Sequence, residues 1–279
     1  GRTTDYGHTM NLTYNLPVNK IPGLEWVTIA TRYGSGFNWQ TEPLLTMNDP
    51  NINVGNTIQN SRTVQINPTL SLVALYNKFG FIRNMSAEGK NPTAAFFVNL
   101  LTSLKNFSGA YTKTEGTFLP GYLPKTNFIG QNLDSRAPGY DFLFGGQGDI
   151  RGRALAGGWI TRDSLLNQLY INTKKEDLSF RSLVEPIKDL RIELTGIKSQ
   201  SFNYSTNFKF LPSSNGFENL SPVTTGDFSI SFFSMRTAFS KEDKLNNSSR
   251  LFRQFQENRA VISRRLGTLN PNSTGTSAG

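Results

Sequence analysis

The stretch YGHTMNLTYNLP, residues 6–17, alternates strictly. Tyr6, His8, Met10, Leu12, Tyr14 and Leu16 are large or apolar. Gly7, Thr9, Asn11, Thr13 and Asn15 between them are small and neutral. Successive side chains on a strand point to opposite faces, so this period of two predicts a β-strand with one apolar and one polar face. Neither face carries a fixed charge, whereas the wet face of a soluble sheet ordinarily presents Lys and Glu. The question is whether the apolar face meets a protein core or lipid.

The same alternation recurs. Trp26–Trp39 carries Val27, Ile29, Tyr33, Phe37 and Trp39 on one side, and the short PVNKIPG turn before it predicts an antiparallel neighbour of the first strand. Further strands are predicted at Thr57–Leu72, Lys105–Thr114, Asp177–Val184, Asp189–Lys198, Ser201–Phe210 and Gly226–Ala238, with Pro68 weakening the end of the third. Helical spacing predicts a short helix near 91–105, one near Asp163–Tyr170 and a final one from Ser248 to Leu266, with Leu251, Phe255, Ile262 and Leu266 inward. About ten strand residues span about 33 Å and, tilted near 40°, about 25 Å of height, the apolar band of an outer-membrane barrel.

Composition points the same way. Charged residues are 18% of the 279, against about 25% in ordinary soluble domains, and aromatics are 12%. Neutral polar residues with many aromatics suit a wet lumen, an apolar outside and aromatic girdles. The net charge of +9 is scattered, with Arg259, Arg264 and Arg265 the one tight cluster, so nucleic-acid binding is not the expected role. No run of about 18 apolar residues exists to form a membrane-crossing helix. The chain begins mid-pattern and is expected to be a section of a longer polypeptide.

Little in the sequence suggests chemistry. Without cysteine and with His8 the sole histidine, no metal-ligand set and no histidine-dependent triad is expected. The carboxylate pairings that can be imagined, Glu115 with Asp134 and Asp141 with Asp149, have no spacing to recommend them. GGQGDIRG at 145–152 has Arg151 where a phosphate loop needs its third glycine and no following Walker lysine. No enzyme, cofactor, metal or small-molecule substrate is expected.

Residues 115–175 are dense in Gly, Pro and aromatics and hold no period. Loops of that length are usually functional or disordered, and the aromatics argue against disorder. The segment is expected to be an ordered excursion packed on the sheet. It has two readings. It is either a brace for the wall or a contact surface for a partner or cargo, with Phe118, Tyr122, Phe128, Tyr140, Phe142 and Phe144 as the anchors.

In order along the chain, LPVNKIPGLEW, LYNKFGFIRN, LKNFSGAYTKTEGTFLPGY, APGYDFLFGGQ, GGWIT, LVEPIKDLRIELTG and QENRAVISRRL resemble consecutive blocks of the SprA/Sov family. This family is the outer-membrane translocon of the type IX secretion system of Bacteroidota. The chain departs from the family pattern after LYNKFGFIRN, where only MSAEGK precedes Asn91 instead of a longer basic insertion. The resemblance implies a bacterial outer-membrane, protein-conducting channel that exports folded proteins and supports gliding motility. It implies as partners a PorV-type FadL-like barrel, a plug protein and cargo with a C-terminal signal.

The expected fold is therefore all-β, a section of a large antiparallel transmembrane β-barrel. Residues 1–114 would be barrel strands with a short helix, 115–175 the excursion, 176–240 further strands, and 241–279 a helix and polar tail. Met10, Leu12 and Tyr14 are expected to face outer-membrane lipid, and Thr9, Asn11 and Thr13 the lumen. The alternative is a secreted soluble β-rich adhesin or glycan-binding module.

Overall fold

In the computed structural model, residues 3–43, 46, 49, 51–80, 82, 98–100, 102–187, 189–231, 242–243 and 248–269 are described. The chain divides into two units, Gly1–Ser231 and Phe232–Gly279. The first is an antiparallel meander: β1 (Asp5–Leu16), β2 (Val27–Gln40), β3 (Asn56–Ser71), β4 (Leu104–Tyr122), β5 (Tyr170–Ile187), β6 (Leu190–Leu211) and β7 (Gly216–Thr225), each paired with the next. β8 (Phe228–Ile230) also pairs with β6. Among the described residues β1 pairs only with β2, and β7 and β8 only with β6, so the sheet is open. A short helix, α1 (Leu72–Tyr76), follows β3. The excursion holds two more, α2 (Tyr140–Leu143) and α3 (Arg151–Ala156). In the second unit the described residues form β9 (Glu242–Asp243), β10 (Ser248–Ser249) and α4 (Arg250–Leu269).

The fold is all-β, as expected, but several boundaries move. β4 continues to Tyr122 and β5 begins at Tyr170, so the excursion shortens to residues 123–169. The two strands predicted at Asp189–Lys198 and Ser201–Phe210 are one, β6, of 22 residues. Lys198 through Ser201 pair continuously with Leu178 through Lys175, which leaves no room for a turn. Of the strand predicted at Gly226–Ala238 only β8, Phe228–Ile230, is seen among the described residues; β7 precedes it as a strand not expected from sequence, and residues 232–240 lie outside the described set. No helix forms at Asp163–Tyr170, where the Asp163 carboxylate accepts from the Leu165 and Asn53 amides and shapes a turn. The helix predicted near 91–105 falls mostly outside the described residues; 98–100 are helical and β4 starts at Leu104. In α4, Phe255, Ile262 and Leu266 are exposed rather than inward.

Pro68 does not end β3. It pairs with Ile29 on one side, while the ladder to β4 skips from Ile66 to Thr69. Proline has no N–H to donate. Gly109 makes space for its ring: a Cβ there would lie 3.2 Å from Pro68 Cγ.

Residues opposite one another on neighbouring strands share a face. One face collects Tyr6 and His8 of β1, Phe37 and Trp39 of β2, Ile58 and Asn60 of β3, and Thr117 and Leu119 of β4. The excursion packs on this side, and we call it the covered face. Phe142, Leu143, Ile150 and Trp159 of the excursion join Phe37, Trp39, Ile58 and Leu119 in one buried cluster. Each such side chain contributes about 1.5–3 kcal/mol by leaving water. The other face, the open one, carries Thr9, Asn11, Thr13, Gly34, Thr63, Gln65, Thr112, Thr114 and Ser179.

Two glycines set the excursion's course. Gly121 has φ +76° and sits at the point where the β3–β4 register shifts, so the bulge turns Tyr122 onto the covered face. Gly130 has φ +82°, and a Cβ there would lie 2.7 Å from the Phe37 ring. We expect Gly130→Ala to cost about 1–3 kcal/mol, through overpacking and a left-handed backbone. In the full-length protein this reads as faster protease cutting within residues 123–169 at unchanged strand content by circular dichroism.

Candidate membrane-facing surface

The covered face changes character along the strands. At the end near Asp5, Gln40 and Tyr122 it lies under the excursion; at the other end no described residue covers it. The junction is built on Asn60, which is 1% exposed. Its amide donates to the carbonyls of Phe142, at 3.0 Å, and Gly146, at 2.8 Å. Its Oδ1 accepts from Gln147 Nε2 at 3.0 Å. Gln147 Oε1 then accepts from Thr117, and Thr117 Oγ1 accepts from Asn172, so one polar chain runs from β3 to β5 beneath the excursion. Around it, His8 Nε2 lies 3.1 Å from the Leu143 carbonyl, Trp39 Nε1 donates to the Pro124 carbonyl at 3.2 Å, and the Tyr33 hydroxyl donates to the Phe144 carbonyl. Gly145 fits against Ser35 and Arg62; a Cβ there would lie 3.0 Å from Ser35 Cβ.

The far side of the excursion is held by Arg151. Its guanidinium lies 4.5 Å from the Tyr170 ring centre and 5.5 Å from that of Phe208. It pairs with Asp149 at 2.8 Å and bonds Asn219 of β7. The Arg151 hydrogen bond holds the Asp149 carboxyl below the usual carboxylate range, against the opposing effect of burial. Three of the four carboxylates considered for catalysis are engaged with cations, Asp141 with Arg153, Asp149 with Arg151, and Glu115 with Arg62 and Lys113, and the fourth, Asp134, is exposed. Among the described residues no cluster of His, Asp and Glu is arranged to hold a metal.

Beyond the excursion a belt of charge crosses the covered face, formed by Arg62 on β3, Lys113 and Glu115 on β4, Lys174 and Glu176 on β5, and Lys198 on β6. Below the belt the side chains on this face become apolar: Met10, Leu12, Tyr14 and Leu16; Val64 and Ile66; Tyr111 and Phe107; Leu178 and Phe180; Leu194 and Ile192. Among the described residues none covers them; Leu12 is 61% exposed and Leu178 47%. Phe107 stacks on Phe180, and the Phe180 ring fills the space over Gly196.

The upper edge of this apolar stripe is oblique to the strands. Through successive rungs the β6 residue level with Arg62 is Phe202. The last charged residue on the covered face of β6 is Lys198, four residues farther along. Four residues are about 13 Å, and three strand spacings are about 14 Å. The edge therefore slopes about 40° to the rungs. On β5 the stripe runs from Leu178 to Ile187, about 33 Å along the strand.

No protein-family model matches the chain, and no curated protein is significantly similar to it. Among the described residues no helix is long and apolar enough to cross a membrane.

The residues singled out from sequence fare differently. Met10, Leu12 and Tyr14 sit together in the exposed stripe, with Thr9, Asn11 and Thr13 on the open face. The six aromatic anchors do not form one surface, and the reading of all six as exposed contacts is corrected for four of them. Tyr122 and Phe142 are each 1% exposed and belong to the core under the excursion, so they brace it. Phe118 lies on the open face, half-buried opposite Ile171, because the Gly121 bulge separates it from Tyr122. Phe144 is half-buried, 5.8 Å ring to ring from His8. Only Phe128 and Tyr140 are open, at 59% and 55%. The sequence reading missed Asn60 and Gln147. The signal for Asn60 was a neutral amide on the register of Ile58, where an apolar residue belongs.

Phe142→Ala should cost about 3–5 kcal/mol and lower the amount of folded protein, whereas Tyr140→Ala should leave it unchanged. Asn60→Ala leaves Gln147 and two carbonyls short of partners and should cost about 2–4 kcal/mol, seen as loss of protease protection of residues 123–169. Because Asp149 is depressed, its contribution is complete above the ordinary value of about 3.9 and disappears as pH falls through the lower folded value. Pepsin cutting of the excursion should rise at the acid end of that window, and Asp149→Asn should remove the dependence.

Proposed function

We propose that this sheet is a section of the wall of a large transmembrane β-barrel in a bacterial outer membrane. The observation that carries the reading is the oblique apolar stripe. Strands in outer-membrane barrels tilt about 35–45° from the membrane normal, so a horizontal lipid boundary crosses their rungs at that same angle. The edge of the stripe has that slope. At that tilt, the run from Leu178 to Ile187 covers about 25 Å of height, the thickness of the apolar band. A soluble sheet whose bare face met water has no reason to confine its large apolar residues to a slanting band, opposite a face of mostly Thr, Ser, Asn, Gln and Gly with the ion pairs Lys175–Asp177 and Arg181–Glu193 among them.

In this reading Met10, Leu12 and Tyr14 face lipid, while Thr9, Asn11 and Thr13 face a wet lumen. The open sheet is an arc whose free edges pair with further strands, since unpaired backbone groups are not tolerated in lipid. The resemblance to the SprA/Sov family extends the proposal. The channel would export folded proteins by the type IX pathway and support gliding motility, with a PorV-type barrel, a plug protein and signal-bearing cargo as partners. It would act as a conduit, not an enzyme.

The test uses the full-length protein. Leu12→Arg should disturb assembly by about 2–4 kcal/mol if it lies near the midplane, and Asn11→Arg much less. The readout is the amount of heat-modifiable protein in outer-membrane fractions. Equal tolerance of the two substitutions, or folding of this chain in buffer as a cooperative monomer without detergent, overturns the reading and favours a secreted adhesin.

A further inference from the structure

The face the excursion covers also decides which side of the wall it occupies. A long aromatic loop in a barrel protein invites the idea of a plug in the pore. Here the excursion and the apolar stripe occupy the same face. His8, which meets Leu143 of the excursion, and Met10 and Leu12 of the stripe follow one another on one side of β1. The same holds on β3, where Asn60 binds the excursion and Val64 and Ile66 lie in the stripe. No register shift intervenes in β1–β2 or in this part of β2–β3, so the faces do not exchange between the two regions.

We propose that the excursion is an external collar: it sits outside the barrel, against the lipid headgroup layer, and leaves the lumen face bare. This rests on the reading of the stripe as the lipid-facing surface. Three observations name headgroups as the occupant below the collar. The rim segment at Phe144 and Gly145 lies over Tyr33, Ser35 and Arg62, and the stripe begins at Tyr33 and at Met10, opposite Ser35. The collar thus ends where the apolar surface starts. The belt along that edge mixes both signs, with Arg62 and Lys113 on Glu115 and Lys174 on Glu176 at 2.9 Å. Long cationic stems there can keep their charged ends at phosphate level while the methylenes lie on apolar surface. Tyr140, at 55% exposure in the helix leading into the rim, presents an amphipathic ring of the kind found at membrane interfaces.

The strands are long enough for this arrangement. β4 and β6 have 19 and 22 residues, about twice what crosses the membrane, so half of each strand stands clear of lipid. Its aromatic covered face, bare, would be an apolar patch in water; the collar removes it. Cargo in the pore would then meet the open face, where Thr, Ser, Asn and Gly side chains are interspersed with Arg32 and with the ion pairs Lys175–Asp177 and Arg181–Glu193. Such a wall is mostly polar and hydrated, and its paired charges leave a passing folded protein little of one sign to adhere to.

The chain has no cysteine of its own, so single-thiol labelling is direct once any cysteine elsewhere in the full-length protein is replaced by serine. The full-length protein is reconstituted in phosphatidylcholine–phosphatidylglycerol vesicles with one fluorophore at Phe180→Cys, Ser179→Cys or Tyr140→Cys. Quenching is compared for a headgroup nitroxide, a deep acyl-chain nitroxide and aqueous iodide. The collar predicts loss of Phe180→Cys fluorescence to the deep probe, of Tyr140→Cys to the headgroup probe, and of Ser179→Cys to iodide alone. If Phe180→Cys is quenched by the deep probe but Tyr140→Cys responds only to iodide, the excursion stands in water clear of the headgroups, and the collar is overturned while the wall stands. Protection of Tyr140→Cys from all three also overturns the collar and points to a protein contact. If Phe180→Cys escapes the deep probe, the lipid reading fails and the collar with it.

Discussion

The excursion stays on its face because of one buried amide. Asn60 sits on a register of large apolar residues, between Ile58 and the belt at Arg62, and uses both amide protons and its oxygen on the segment from Phe142 to Gln147. A buried polar group costs heavily unless it is fully bonded, so Asn60 tolerates few arrangements of the loop above it. Apolar contacts between Phe37, Leu143 and Trp159 supply most of the attraction, but they are not directional. The amide network supplies the direction and fixes where the loop ends.

Where the loop ends decides what the rest of the sheet can be. A strand has only two faces and an unvarying period of two. One face of β1–β6 therefore passes from a core packed like a protein interior, through a charged belt, to an apolar stripe, while the β1–β2 and β2–β3 ladders run through unbroken. Glycine does the local fitting. Gly109 admits Pro68, Gly196 lies beneath Phe180, and Gly145 lets the loop rim approach Ser35. In the stripe the first two pairings hold rings against the sheet where no described residue forms a second layer to pack them.

The alternation was plain in the sequence because it is local. β1, β2 and β3 fall within a residue or two of where periodicity placed them, and the two sides of β1 are as their residues divide. The reading failed where distant contacts outweighed local composition. The end of β4 is rich in Gly and Pro and looked like loop, yet the ladder to β3 carries it to Tyr122. Ser199 and Gln200 suggested a turn within β6, but opposite them β5 runs on unbroken, and a continuous partner makes a turn there costly. The helix expected at Asp163–Tyr170 lost to an Asp163 carboxylate bonded to amides at Asn53 and Leu165.

By itself the sequence determined an all-β chain of long, uncharged, two-faced strands and a Gly- and aromatic-rich insertion, since strand period and composition depend only on neighbours in the chain. It could not tell which aromatics of the insertion are core and which are surface. Phe118 and Tyr122 share a parity but lie on opposite faces because Gly121 adds a bulge. Phe142 and Tyr140 lie in one short helix, and only packing against Phe37 buries the first and leaves the second exposed. Nor could it reveal that the stripe is oblique, because the slope exists only once six strands are set in register. Register is a sum over pairings between residues far apart in sequence, and only the tertiary structure decides it.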